Sequence, residues 1–118
     1  MAVVENMFDP TLYSKVRLPP LEAETMPPWC YTSPEFYRRE IDRMFKKVWN
    51  FIGREDEIPN PGDYKALDLF DEPIIILRDK AGQLRAFANT CRHRGTRLLQ
   101  GSGNCRVISC PYHSWAYA

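Results

Sequence analysis

Apolar positions along the chain fall into two regimes. Between residues 33 and 50 they recur at Tyr37, Ile41, Met44, Phe45 and Val48, the 3.6-residue period of one helix face. Ser33-Pro34-Glu35 supplies a start signal, with a hydroxyl to cap, a proline at the first helical position and an acid in the first turn. Glu35/Arg39 and Asp42/Lys46 place acid before base four residues apart on the opposite face. The pattern predicts an amphipathic helix over 34–50. From Phe51 the apolar runs are short and separated by turn residues. Phe51-Ile52-Gly53-Arg54 predicts a strand, Pro59-Asn60-Pro61-Gly62-Asp63 a loop, and Tyr64 to Phe70 a half-buried strand. Pro73 leads into Ile74-Ile75-Ile76-Leu77, continuously apolar, as in a strand buried on both faces. Asp79-Lys80-Ala81-Gly82 then turns the chain into a strand from Leu84 to Asn89. Residues 51–118 are thus expected to be mainly β, built of small antiparallel strands. Ahead of the helix, residues 1–33 carry five of the ten prolines. Proline fixes φ and removes a donor, so an extended arm is expected there, anchored by Trp29 and Tyr31.

Composition narrows the class. With 118 residues, 44% hydrophobic and 26% charged, the chain has the balance of one globular domain rather than of a disordered or coiled-coil segment. No apolar run approaches the roughly 20 residues of a membrane span, and residues 1–10 lack the basic start and apolar stretch of a signal peptide. A soluble, cytoplasmic protein is the expectation, and in that compartment four cysteines point to metal or redox chemistry before disulfides. Net charge is only +1, but it is unevenly spread: residues 1–79 hold all 15 acids and ten bases, and residues 80–118 hold six bases and no acid. Neither nucleic acid nor membrane is implied as a partner. Such a segment forms either a solvated basic face or a docking surface.

The reactive side chains are concentrated in the last 28 residues. Cys91-Arg92-His93 is followed, after 16 residues, by Cys110-Pro111-Tyr112-His113, and these are the only two histidines in the chain. Two thiolates and two imidazoles on two loops make a four-ligand metal set. Structural zinc is one candidate, although its usual Cys2His2 arrangement pairs the cysteines on one turn and the histidines on a helix. Here each loop supplies one sulfur and one nitrogen. Ligands one residue apart lie on the same side of an extended loop and reach two metal atoms about as easily as one. A [2Fe–2S] cluster with both thiolates on one iron and both imidazoles on the other uses that arrangement well.

The stretches Cys91-Arg92-His93-Arg94-Gly95 and Cys110-Pro111-Tyr112-His113-Ser114-Trp115 resemble the Rieske motif, specifically that of Rieske non-haem iron oxygenases, the ring-hydroxylating large (alpha) subunits. The likeness extends upstream through Tyr31 to Phe36, Val48 to Arg54, Ile58 to Tyr64 and Asn89-Thr90, about residues 30–118 in all. It implies a Rieske-type antiparallel β-sandwich over 51–118, preceded by the arm (1–33) and the helix (34–50). It also implies that Cys91 and Cys110 bind one iron of a [2Fe–2S] cluster and that His93 and His113 bind the other through Nδ1. The implied role is electron transfer from a ferredoxin or flavin reductase to a mononuclear Fe(II) site that activates O2, within a homo-oligomer, usually a trimer. Aromatic acids or hydrocarbons are the family's typical substrates. Because both histidines are already cluster ligands, that second iron site and its catalytic domain are expected outside these 118 residues, with the Rieske domain itself cut short at Ala118. The alternative is a stand-alone Rieske-type ferredoxin, which is not expected to carry the arm and helix.

Respiratory-chain Rieske proteins join their ligand loops by a disulfide, but Thr96 and Tyr112 stand at the corresponding positions here. Cys30 and Cys105 lie elsewhere and are expected to be buried thiols. With fewer donors to the sulfurs, a potential near the low end of the range of about −150 to +300 mV is expected. Arg92, Arg94, Arg97 and Arg106 favour the reduced cluster or steer an acidic donor, with Arg94 an alternative brace for its loop. Trp115 is expected to shield the cluster.

Overall fold

A computed structural model describes residues 6–118, which divide into two units, 6–50 and 51–118. Residues 1–5 of the expected arm lie outside the described residues. Among the described residues no helix is long and apolar enough to cross a membrane.

In the first unit the Pro-rich segment is more helical than its prolines predict. Pro10–Arg17 forms 3-10 turns and Trp29–Thr32 a single α-helical turn, α1. Pro10 occupies the first helical position, where its missing N–H costs no hydrogen bond, and the Asp9 carboxylate accepts from Thr11 N–H at 2.9 Å. Of the two expected anchors Trp29 is half-buried with a buried indole nitrogen while Tyr31 is exposed, and Phe8 adds a contact of its own. Phe8 stacks on Phe36 at 5.7 Å, and the Arg39 guanidinium lies 5.0 Å from its ring.

Helix α2 begins as its cap signal predicts, with Ser33 Oγ accepting from Phe36 N–H at 3.2 Å and Pro34 at the first position. It ends at Arg43, short of the expected residue 50. Met44 leaves helical geometry (φ −126°, ψ −66°) and a 3-10 turn, Phe45–Lys47, follows. Asn50 Nδ2 donates to the carbonyls of Phe45 at 2.8 Å and Val48 at 3.0 Å, supplying partners that the helix no longer gives. Of the predicted apolar stripe, Ile41 is buried while Tyr37, Met44 and Val48 remain exposed.

The second unit is antiparallel β. Strands β1 (Asp63–Leu69), β2 (Glu72–Arg78), β3 (Leu84–Ala88) and β4 (Ser102–Asn104) form one sheet in the order β3-β2-β1-β4. A separate ribbon pairs β5 (Ile108–Ser109) with β6 (Ala116–Tyr117). Leu69 faces Glu72, so Phe70 and Asp71 form a two-residue turn with φ of 51° and 68°, the geometry of a primed hairpin without its usual glycine. The strand expected at residues 51–54 is absent. Gly53 adopts φ 147° and Glu57 folds back to accept from Arg54 N–H at 2.9 Å, which turns the chain into a 3-10 element, Glu55–Glu57.

Of β2 only Ile75 is fully buried, so the run at 74–77 is less enclosed than a strand covered on both faces. Arg78 ties the sheet to the preceding loop, donating to the carbonyls of Ile58 (2.7 Å) and Glu55 (3.0 Å), and to its own β2–β3 turn through Gly82 O (2.9 Å). The core of this unit comprises Ile58, Ile75, Asn89, Cys91 and Cys110. Cys105 is half-buried and Cys30, in the first unit, is buried.

Candidate metal centre

Both cysteine-histidine loops are held by strands. The first hangs between β3 and β4, and the second spans β5 to β6. Their backbones repeat the same design. Cys91 N–H donates to Thr96 O at 2.8 Å and Gly95 N–H returns to Cys91 O at 2.9 Å. Cys110 N–H donates to Trp115 O at 2.8 Å and Ser114 N–H returns to Cys110 O at 2.9 Å. The fourth residue after each cysteine is left-handed, Gly95 at φ 73° and Ser114 at φ 60°. The two loops are thus near copies in backbone design, and they bring the two histidines together and the two cysteines together.

The sulfurs and imidazoles occupy different depths. Cys91 and Cys110 are each 3% exposed, whereas His93 and His113 stand exposed at the rim with ring centroids 4.8 Å apart and planes at 69°. Trp115 stacks on His93 at 4.8 Å with planes 3° apart, and Tyr112 lies against His113 at 3.8 Å. All four cysteines are free thiols.

Cys91 is the more heavily hydrogen-bonded sulfur. The Tyr117 hydroxyl lies 3.1 Å away and itself accepts from Arg92 N–H at 3.0 Å. That hydroxyl, backed by the N–H groups of His93 and Arg94 and by the Cys110 thiol, holds the Cys91 thiol below its ordinary value, and the adjacent sulfur pushes the Tyr117 phenol up. A metal takes the thiolate, and a lowered thiol reaches that form more readily.

Asn89 is a second residue, after Tyr117, whose role the sequence reading missed. It is fully buried, and its Oδ1 accepts from Leu98 N–H (3.0 Å) and Leu99 N–H (2.9 Å) while Nδ2 donates to Leu99 O (2.7 Å). It closes the base of the first loop. Its signal in sequence was only its place two residues before Cys91.

Of the four arginines singled out, Arg97 is committed to Asp68 at 2.7 Å. Arg92, Arg94 and Arg106 are exposed and have no carboxylate partner among the described residues, and the Arg94 guanidinium lies 5.9 Å from the Tyr112 ring.

Among the described residues no three His, Cys, Asp or Glu side chains converge to hold a single ion. A two-iron cluster asks for two donors at each iron, soft sulfur on one and imidazole on the other, and this donor set fits it.

Comparison with known proteins agrees. Residues 48–118 match the model of the Rieske [2Fe-2S] domain. The chain is 38% identical over 91 residues to the chlorobenzene dioxygenase subunit alpha of Cupriavidus sp. (strain PS12), covering 76% of this chain and 20% of that protein. It is 39% identical over 110 residues to the chloroplastic choline monooxygenase of Spinacia oleracea, covering 93% and 24%. The apo form of the quaternary ammonium Rieske monooxygenase CntA superposes with a TM-score of 0.76 at 42% identity, over 80% of this chain and 28% of that one. The chain thus spans about a fifth to a quarter of the relatives it matches, and by motif, fold and sequence it belongs to the Rieske [2Fe-2S] domain family, in the form found in oxygenase alpha subunits.

Proposed function

We propose that Cys91 and Cys110 hold one iron of the cluster and His93 and His113 the other, and that the chain is the electron-transfer module of a Rieske mono- or dioxygenase. The observation that carries this is the depth ordering, with two buried thiols beneath two exposed imidazoles on matched loops. Bound there, the cluster supplies a one-electron store between a ferredoxin or flavin reductase and a mononuclear Fe(II) site that activates O2 in a catalytic domain outside these residues. The chain's own groups set the conditions. Burial keeps water from the cysteines, the Tyr117 hydroxyl and the loop N–H groups hold the thiolate, and the rim leaves the imidazole edges open to a partner. A structure of CntA is described as revealing inter-subunit electron transfer. An exposed His113 suits the same hand-over in a homo-oligomer, trimeric as the family pattern implies. The relatives are named for substrates as different as chlorobenzene and choline, so these loops serve oxygenases of unlike substrate.

The test is direct. Purified protein is expected to be brown, with two irons and two acid-labile sulfides per chain and a Rieske electron paramagnetic resonance (EPR) signal on reduction. His113→Ala is expected to abolish that signal. A normal signal in the variant would overturn the ligand assignment, and a colourless zinc protein would overturn the cluster.

A further inference from the structure

We propose that the free edge of β3 is a self-pairing interface, at which two copies of the chain join antiparallel, about a two-fold axis at Ala86, into one continuous sheet. The contact is separate from the ligand rim and does not draw on the cluster assignment.

The first support is where the backbone groups of β3 point. β3 pairs with β2 on one side and ends the β3-β2-β1-β4 sheet. Just beyond the two ends of that ladder, Asn89 N–H donates to Pro73 O at 2.7 Å and Asp79 N–H donates to Gln83 O at 2.9 Å. Bonded and non-bonded pairs alternate along an antiparallel ladder. Arg85 and Phe87 therefore turn their N–H and C=O groups to β2, while Leu84, Ala86 and Ala88 turn theirs to the open side. Every residue of β3 is exposed, so no described residue covers that side.

The second support is the lack of protection. Exposed strand edges are normally guarded by a lysine, a proline or a bulge. β3 has none of these, its register with β2 runs unbroken from Leu84 to Ala88, and its one charged side chain, Arg85, is met by Asp79 at 3.0 Å. Leu84, 46% exposed, and Phe87, 54% exposed, add apolar surface. The opposite edge, β4, is only three residues long with Gly103 at its centre, a poor template for a neighbouring strand.

The third support is that the edge is complementary to itself. With Ala86 on the axis, Ala86 stands opposite the partner's Ala86 and Leu84 opposite the partner's Ala88, so each outward N–H meets a C=O. Arg85 then stands opposite the partner's Phe87 in a non-bonded pair, where side chains approach most closely, and the two-fold repeats this cation–ring contact. No like charges face each other. Because both copies use the same edge, the pairing closes at two. The strands run in opposite directions, so the two first ligand loops, each following Ala88, leave at opposite ends of the pair.

The experiment follows the purified, cluster-loaded chain by sedimentation equilibrium. A strand pair of this length buries well below the roughly 1,600 Å² of a standard interface, so the dimer is weak and is sought between about 1 µM and about 1 mM. The mass is expected to rise from 13.8 kDa toward twice that value and no further. Ala86→Lys sets two lysines face to face and should weaken association at least about tenfold. Ala86→Pro removes an N–H that points away from β2, leaves the β2–β3 ladder its bonds, and should act alike. Phe87→Ala should weaken association roughly fivefold or more, through two lost ring contacts. Trp49→Lys, which alters a fully exposed aromatic of the first unit, should associate as wild type. Amide exchange at Leu84, Ala86 and Ala88 is expected to slow as concentration rises, with Arg85 and Phe87 protected throughout. A mass of one chain at every concentration, growth beyond two copies, wild-type association by both Ala86 variants, loss of association in Trp49→Lys, or outward amides that exchange at one rate throughout would each overturn the interface.

Discussion

The Tyr117 hydroxyl sits between two groups of the first ligand loop, accepting from Arg92 N–H at 3.0 Å and lying 3.1 Å from the Cys91 sulfur. Tyr117 belongs to β6, so the far end of the second loop's ribbon reaches back to brace the first. A hydroxyl donating to a thiolate withdraws charge from it and favours the reduced cluster. Tyr117→Phe is therefore expected to lower the reduction potential by tens of millivolts, on the order of the about 59 mV that corresponds to tenfold in a one-electron equilibrium. An EPR-monitored redox titration checks it, and an unchanged midpoint would show that the hydroxyl only braces the loop.

Asn89 offers a separate lever. Its three side-chain bonds to the backbone of Leu98 and Leu99 lie in a fully buried position. Asn89→Ala strands two N–H groups and a carbonyl, each costing about 1–3 kcal/mol if water does not reach it. We expect a loss of about 3 kcal/mol or more in urea unfolding, together with a reduced iron content per chain. Stability and iron equal to wild type would show that the loop closes without it.

How much of this was legible in the sequence follows from the range over which each signal acts. The candidate ligands Cys91, His93, Cys110 and His113 were visible because each Cys-His pair lies within four residues of chain and the pair occurs twice. The Ser33 cap and the strands β1 to β3 were visible for the same reason. Tyr117 was not, because its partner is 26 residues away and is reached only through the pairing of β5 with β6. The helix ends seven residues before its apolar stripe predicts, because its end is set by Met44 geometry and by Asn50 reaching back to two carbonyls. Pro10 misled in the opposite sense, since a proline that breaks a helix interior is at home on its first turn.

Asp63 gives the fold a pH dependence with a definite sign. Hydrogen bonds from the Asn104 side chain (2.8 Å) and then from Asn60 N–H (2.7 Å) hold its carboxyl below the usual aspartate value. A group whose folded value is depressed contributes stability above its unfolded value, near 3.9, and loses it as pH falls through the folded value. Asp79, held down by Gln83 N–H and Arg85, and Glu57, held down by Lys65, act in the same direction. The urea midpoint is expected to fall below about pH 4, and Asp63→Asn is expected to make that fall shallower. A midpoint flat from neutral to acid would contradict the assignment.

The matched ligand loops differ at one position in a way that can be read as stability. Gly95 and Ser114 occupy the same place after their cysteines and share the left-handed conformation, at φ 73° and φ 60°. An L side chain there costs about 1–2 kcal/mol relative to glycine, so the second loop carries a strain that the first avoids. A Cβ at Gly95 meets nothing within 4 Å, so its substitution tests backbone conformation alone. Gly95→Ala should therefore destabilise the chain by about 1 kcal/mol, and Ser114→Gly should stabilise it by somewhat less, because glycine also gains freedom in the unfolded chain. Denaturant midpoints of the two variants in apo protein check both signs. If the loops are the structural copies that their hydrogen bonds make them, the shifts oppose each other. If Ser114→Gly instead destabilises, the serine hydroxyl contributes more to its loop than the left-handed backbone costs.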